Sequence, residues 1–218
     1  YSLSPAKISR GQVFLLTGDG FIGPGLPGGG DTTLIAKGIF TLDNGNVIPY
    51  TKDYFYLKPR VENGQQLSYI VHVEIDSKGE SKDLGALMGT FKGEFVVLIE
   101  KDGQRVENST PFPIQVTILP QRQYVYLKYL PEFTDSLRKF GLRNVEILVR
   151  KRIKEVVERD YQQVNVEIST LPPANFAEYV TVELGGPDPN GIGLLGLENS
   201  PGMDLFNRRF DDTIGGYN

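Results

Sequence analysis

The run ELGGPDPNGIGLLGLENSPGMDL, residues 183–205, sets Asp188, Asn190, Glu198, Asn199 and Asp204 among glycines and prolines. Hard oxygen donors beside glycines, whose backbone carbonyls can converge, are the chemistry of a calcium site. The spacing is not that of an EF-hand, and Gly and Asn adopting positive φ in a long turn account for the same residues. The sequence leaves both readings open. Phosphate is the poorest fit, because no lysine and no helix N-terminus follows. The same objection meets GDGFIGPGLPGGGD, residues 18–31, which lacks the Lys-Ser/Thr ending of a phosphate loop and reads as a connection between strands.

Other chemistry is limited by what the chain holds. His72 is the only histidine and sits among valines in a strand-like run, so a Ser-His-Asp triad or a histidine zinc site has too few members. Neither H-E-x-x-H nor G-x-S-x-G occurs. With no cysteine, disulfides and thiolate metal sites are excluded, though the compartment is not thereby fixed. PYTKDYFYLKP, residues 49–59, gathers Tyr50, Tyr54 and Tyr56. Alternation puts Tyr54 and Tyr56 on one face of a strand, and the three are candidates to stack on a sugar, line a protein interface or pack across strands.

These residues must be held by a chain of 218 residues with 39% hydrophobic content, enough for one large or two ordinary domains. A net charge of −4 offers no basic face for nucleic acid. No apolar run is long enough to span a membrane, and no basic-then-apolar leader opens the chain. It starts at Tyr1, as either a processed exported protein or an excised fragment would.

Seven β-branched and aromatic runs predict strands: 12–18, 33–40, 54–58, 67–75, 94–100, 113–119 and 124–130. The fourth alternates, with Tyr69, Val71, Val73 and Ile75 on one face. LDNGNV and EKDGQRV carry the Asn-Gly and Asp-Gly pairs of tight hairpins. From residue 131 the period changes to helical: Val145, Leu148, Val149, Ile153, Val156, Val157 and Tyr161 share one side. Glu146/Arg150, Lys151/Glu155 and Glu155/Arg159 stand as i,i+4 pairs, and Gly141 divides off a shorter leading segment. Strands over 164–170 and 178–186 follow. The expected architecture is an all-β immunoglobulin-like sandwich over 1–122, a linker over 123–130, and a small α+β domain over 131–218. That second domain has a long amphipathic helix, two or more strands and a long Gly/Asp/Asn-rich loop. In the loop, Leu194, Leu195, Leu197, Leu205, Phe206 and Phe210 require cover, which points to a protein partner or self-assembly.

ISRGQVFLLTGDGFIGPG, with Gly11, Gly18, Gly20 and Phe21, resembles the opening of IPT/TIG-type immunoglobulin-like domains. FGLRNVEILVRKRIKEVVERDYQQVNVEIST followed by YVTVELGGPDPNGIGLLGLENSPGMDLFNRRFDDTIGG resembles the front part of a metzincin-like zinc peptidase domain of large secreted or surface bacterial proteins. The resemblance implies a helix, two strands and a loop ahead of a zinc helix, and an extracellular, cell-surface or periplasmic location. No position here matches that family's zinc motif, so no catalytic residue carries over. Zinc is implied only if a segment beyond residue 218 supplies its ligands. The expected function is therefore a secreted or surface structural or binding protein that assembles with protein. The alternatives are the N-terminal part of a zinc endopeptidase and, more weakly, a carbohydrate-binding adhesin.

Overall fold

The structure, a computed structural model, describes residues 1–27, 29–102, 104–187, 196–198 and 213–216; for 106–108, 196–198 and 213–216 only the backbone is described. Among the described residues the fold is mostly β, with several sheets and two α-helices, and the chain divides into two compact units, 1–121 and 122–218.

In the first unit the strands are β1 (Ser2–Ser4), β2 (Lys7–Ile8), β3 (Val13–Thr17), β4 (Asp31–Leu42), β5 (Val47–Leu57), β6 (Arg60–Asn63), β7 (Gln66–Ile70), β8 (Val73–Ile75), β9 (Ser81–Asp83), β10 (Gly89–Lys101), β11 (Gln104–Asn108) and β12 (Phe112–Ile118). One sheet runs β1-β3-β7-β6; the other runs β2-β12-β10-β4-β5, with β11 also on β10; β8 and β9 make a separate ribbon. The two large sheets share one core. Phe14, Leu16, Leu67 and Tyr69 come from the first, and Leu34, Phe40, Phe55, Phe91, Phe95 and Val116 from the second. Both hairpin signals close turns. Asn44 and Gly45 (φ 85°) join β4 to β5, with the Asn46 N–H bonded to Asn44 Oδ1 at 2.9 Å, and Asp102 (φ 52°) lies between β10 and β11.

The alternation expected over 67–75 stops at Ile70. Tyr69 and Val71 are buried, but Val73 and Ile75 are exposed on the β8–β9 ribbon, and His72 falls in the gap between β7 and β8 rather than within a strand. The break has a local cause. Leu84 N–H bonds the His72 carbonyl at 3.1 Å, and the Asp76 carboxylate accepts the N–H groups of Lys78 and Glu80, each at 2.9 Å, turning the chain into its own hairpin.

The second unit comprises β13 (Gln123–Tyr129), α1 (Pro131–Lys139), α2 (Glu146–Asp160), β14 (Val166–Ser169), β15 (Val180–Leu184), β16 (Gly196–Glu198) and β17 (Thr213–Gly216). Its sheet order is β14-β13-β15-β17-β16, parallel throughout except for β16. Residues 123–130, expected as a linker, are instead mostly β13, an interior strand hydrogen-bonded on both sides. Tyr124 and Leu127 are buried there, which explains why the segment is as apolar and β-branched as a core strand. Helix α1 opens on Pro131, whose missing N–H costs nothing at that position, and ends at Gly141 (φ 70°). There Leu142 N–H returns to the Leu137 carbonyl at 2.8 Å.

Helix α2 turns Val149, Ile153, Val156 and Val157 inward, but Val145, Leu148 and Tyr161 are exposed, contrary to the face expected from spacing. Arg150 fixes the rotation. Its guanidinium lies 4.4 Å from the Tyr129 ring centroid and 5.5 Å from that of Phe133 while pairing with Glu146. Glu155 pairs with Lys151 and Arg152 rather than Arg159, which turns to Asp160.

Candidate functional site

The long β4–β10 pair presents an outward surface built around two facing glycines. Gly38 and Gly93 are register partners, as are Lys37 and Glu94. The missing side chains let the strands meet closely: a Cβ on Gly93 would lie 2.0 Å from the Lys37 carbonyl oxygen and 2.7 Å from Gly38 Cα. Beside this pair opens a groove of about 410 Å³ lined by Lys37, Ile39, Thr51, Lys92, Glu94 and Pro113 among others. Ile39 is 42% exposed.

Lys37 joins this groove to the tyrosines. Across β5 it alone opposes Thr51, Lys52, Asp53 and Tyr54, because Gly38 pairs with Tyr50 and Ala36 with Phe55. Three surplus residues are an odd number, so the alternation reverses across the bulge. Tyr50 therefore enters the core at 6% exposure with its ring 4.5 Å from that of Phe55, while Tyr54 and Tyr56 stay outside. Tyr50 is therefore withdrawn from the stacking candidates, leaving Tyr54 and Tyr56. Burial raises the Tyr50 pKa, as it would for any phenol withdrawn from water.

Tyr54 and Tyr56 meet edge to face at 5.1 Å, their hydroxyls 3.1 Å apart, with Lys37 Nζ 5.1 Å from the Tyr54 centroid. The hydrogen bond with Tyr54, followed by burial, raises the Tyr56 pKa. A sugar-stacking platform needs an open ring face. Lys37 occupies one face of Tyr54, and Tyr56, 40% exposed, offers the better contact. The pair is positioned from behind by the β8–β9 ribbon. Ser77 N–H bonds the Tyr54 carbonyl at 2.8 Å, Tyr54 N–H bonds Ser77 Oγ at 3.2 Å, and Lys78 pairs with Asp53 at 2.6 Å.

Asp76 anchors that ribbon. Its burial works to raise the pKa, but the Glu80 and Lys78 N–H groups, helped by Lys82 and Lys78, outweigh this and hold the carboxyl below its ordinary value. A depressed folded-state pKa contributes stability that is present above the ordinary aspartate value and is lost as pH falls through the lowered one. Glu146, lowered chiefly by its hydrogen bond to Arg150, acts in the same sense. Melting temperature should therefore fall as pH drops below the ordinary aspartate value of about 4, and less steeply in Asp76→Asn than in the parent chain. Equal slopes would remove Asp76 from the account.

His72 makes no catalytic constellation. Its Nδ1 is 2.8 Å from the Val73 carbonyl, and Nε2 lies 3.5 Å from Glu74 Oε1, which also accepts the Tyr69 hydroxyl at 2.5 Å. Of the calcium candidates, Asp188, Asn190, Asn199 and Asp204 lie outside the described residues, and Glu198 ends β16, where the side chain is not described. Leu194, Leu195, Leu205, Phe206 and Phe210 likewise lie outside them, and Leu197 is placed by backbone in β16 only. Among the described residues no group of three or more His, Cys, Asp or Glu is placed to hold a metal ion, and no helix is long and apolar enough to cross a membrane.

Sequence reasoning missed Lys37, Gly38 and Gly93. The available signal was glycine inside two otherwise apolar strand runs, which marks close backbone approach. Set against known proteins, the chain matches no family model and no curated protein.

Proposed function

We propose that the chain is a secreted or cell-surface structural or binding protein that acts through protein–protein assembly, using the outward face of β4, β5 and β10 and no catalytic residues of its own. One observation carries this reading: exposed Ile39 lines an open groove whose rim bears both signs of charge, Lys37 and Lys92 with Glu94, and Lys37 links that groove to half-buried Tyr54 and exposed Tyr56. Exposed tyrosine and isoleucine next to mixed charge are the composition of a protein contact. A face carrying both signs can also meet a copy of itself. The shared core of the two large sheets supports an immunoglobulin-like, IPT/TIG-type reading of residues 1–121, and such a module would act outside the cell or in the periplasm.

The alternative, the front of a zinc endopeptidase, is favoured by a different observation. Helix α2 and strands β14 and β15 follow one another in the order the resemblance implies, within a sheet whose edge strand β16 alone is antiparallel. In that reading the metal would polarise a scissile carbonyl and activate water, with ligands from a segment beyond residue 218. Carbohydrate binding is the weaker choice, because Lys37 takes the ring face that a sugar would use.

Sedimentation equilibrium separates the readings. The expected result is association of the chain at tens of micromolar, weakened about tenfold or more by Tyr56→Ala with Ile39→Ser. A chain that stays monomeric at these concentrations would overturn assembly, and zinc-dependent casein cleavage that appears only when a segment beyond residue 218 is supplied would favour the peptidase.

A further inference from the structure

Among the described residues of the second unit, the turn between α1 and α2 carries the two most exposed large apolar side chains, Phe140 and Ile147. Phe140 is 77% exposed, Ile147 82% and Leu148 63%, with Leu142 and Val145 beside them. They lie within nine residues where α1 ends at its glycine cap and α2 begins, so one helix-turn-helix tip presents them together. The surrounding charge is one-sided. Between residues 135 and 155 stand seven basic side chains, Arg138, Lys139, Arg143, Arg150, Lys151, Arg152 and Lys154, against the three acids Asp135, Glu146 and Glu155, on a chain whose net charge is −4. The acids are taken, Asp135 by Arg138 at 3.3 Å, Glu146 by Arg150 and Thr134, and Glu155 by Lys151 and Arg152. Among the described residues Lys139 and Arg143 hold no ion pair.

We infer that this tip is a peripheral membrane contact, which inserts Phe140, Ile147 and Leu148 into the interface of an anionic lipid surface while the lysines and arginines around them meet the headgroups. Apolar side chains ringed by Lys and Arg on a helix end are what an interfacial element requires, since the apolar groups enter the acyl boundary and the long basic chains reach back to phosphate. The charge chooses between occupants. A second copy docked on the same tip would oppose two basic rims, which repel, whereas an anionic bilayer attracts each cation within a Debye length. Shape agrees, because side chains this exposed project outward instead of lining a pocket, as the anchors of a protein interface do. The contact lies on the surface: α2 has 15 residues, many of them charged, and does not cross a bilayer.

The chain has no tryptophan, so Phe140→Trp supplies a single reporter. The full chain should co-sediment with phosphatidylcholine vesicles containing about 30% phosphatidylglycerol, and bind at least about tenfold more weakly to pure phosphatidylcholine or in about 0.5 M salt. Phe140→Trp emission should shift to the blue on binding. Ile147→Ser with Leu148→Ser, and separately Lys139→Glu with Arg143→Glu, should each reduce binding about tenfold while leaving the circular dichroism spectrum unchanged, because the altered side chains are exposed. Absence of vesicle binding, binding that these variants do not weaken, or binding without the emission shift would overturn the inference. So would a vesicle-independent rise in molecular mass that the serine variants abolish, which would make the tip a protein contact.

Discussion

Replacing Gly93 by alanine should cost the first unit about 3 kcal/mol, read as a lower urea midpoint for its transition. The expectation follows from what the new methyl meets. It would lie 2.0 Å from a backbone oxygen, at Lys37, and 2.7 Å from a backbone carbon, at Gly38, and neither can swing aside as a side chain can. Gly38 is constrained from the other strand, where a Cβ would sit 2.5 Å from the Lys92 carbonyl and 2.6 Å from Gly93 Cα. Relief requires β4 and β10 to separate at the centre of the larger sheet, and their pairing runs from Gly89 to Glu100. Both Ala variants should be destabilised, and both should lose assembly along with stability, since the groove depends on the same approach. A Gly93→Ala chain as stable as the parent would show that the strands have slack there.

Asp83→Ala should cost a similar amount, about 3 kcal/mol, for a different reason. Arg10, its guanidinium paired with Asp83, has only 11% of its side chain exposed, and its stem packs over Gly85, where a Cβ would lie 2.8 Å from Arg10 Cγ. Removing the carboxylate takes from a largely buried cation the ion pair it makes with Asp83, which costs more than the intact pair contributes. The pair also ties the end of β9 to the turn ahead of β3, so the loss should be shared by the ribbon that positions Tyr54. The double variant Arg10→Met with Asp83→Leu removes both charges at nearly conserved volume and should lie closer to the parent than Asp83→Ala. If urea unfolding instead places the double variant below the single one, the cost comes from lost attraction rather than a stranded charge.

How far the sequence spoke for this arrangement differs between local and cooperative features. Asn44-Gly45 and Asp102 announced their turns because positive φ is a property of the residues themselves. Pro131 and Gly141 bracketed α1 for the same kind of reason. Register is another matter. Tyr50, Tyr54 and Tyr56 share parity, and only the four-against-one bulge opposite Lys37, held from behind by Ser77 and Lys78, sends Tyr50 inward. No local composition states the size of a bulge whose support comes from a ribbon more than twenty residues away. The strand over 123–129 was visible as a strand. Its membership in the second unit was not, because parallel pairing with β14 and β15 depends on segments some forty to sixty residues downstream. Helical spacing likewise grouped Leu148 with Val149, and the stacking of Arg150 on Tyr129 and Phe133 decided which of them faces the sheet.

The mixed-charge face on the first unit and the basic apolar tip on the second are separate proposals, each contact answering to its own variants. The assembly claim is tested most directly by placing a photoreactive benzoylphenylalanine at position 56 and, as a control, at position 15, an exposed site on the other large sheet. The account predicts covalent dimers from position 56 and almost none from position 15 under identical illumination. Equal yields from both positions, or dimers from position 15 alone, would contradict it.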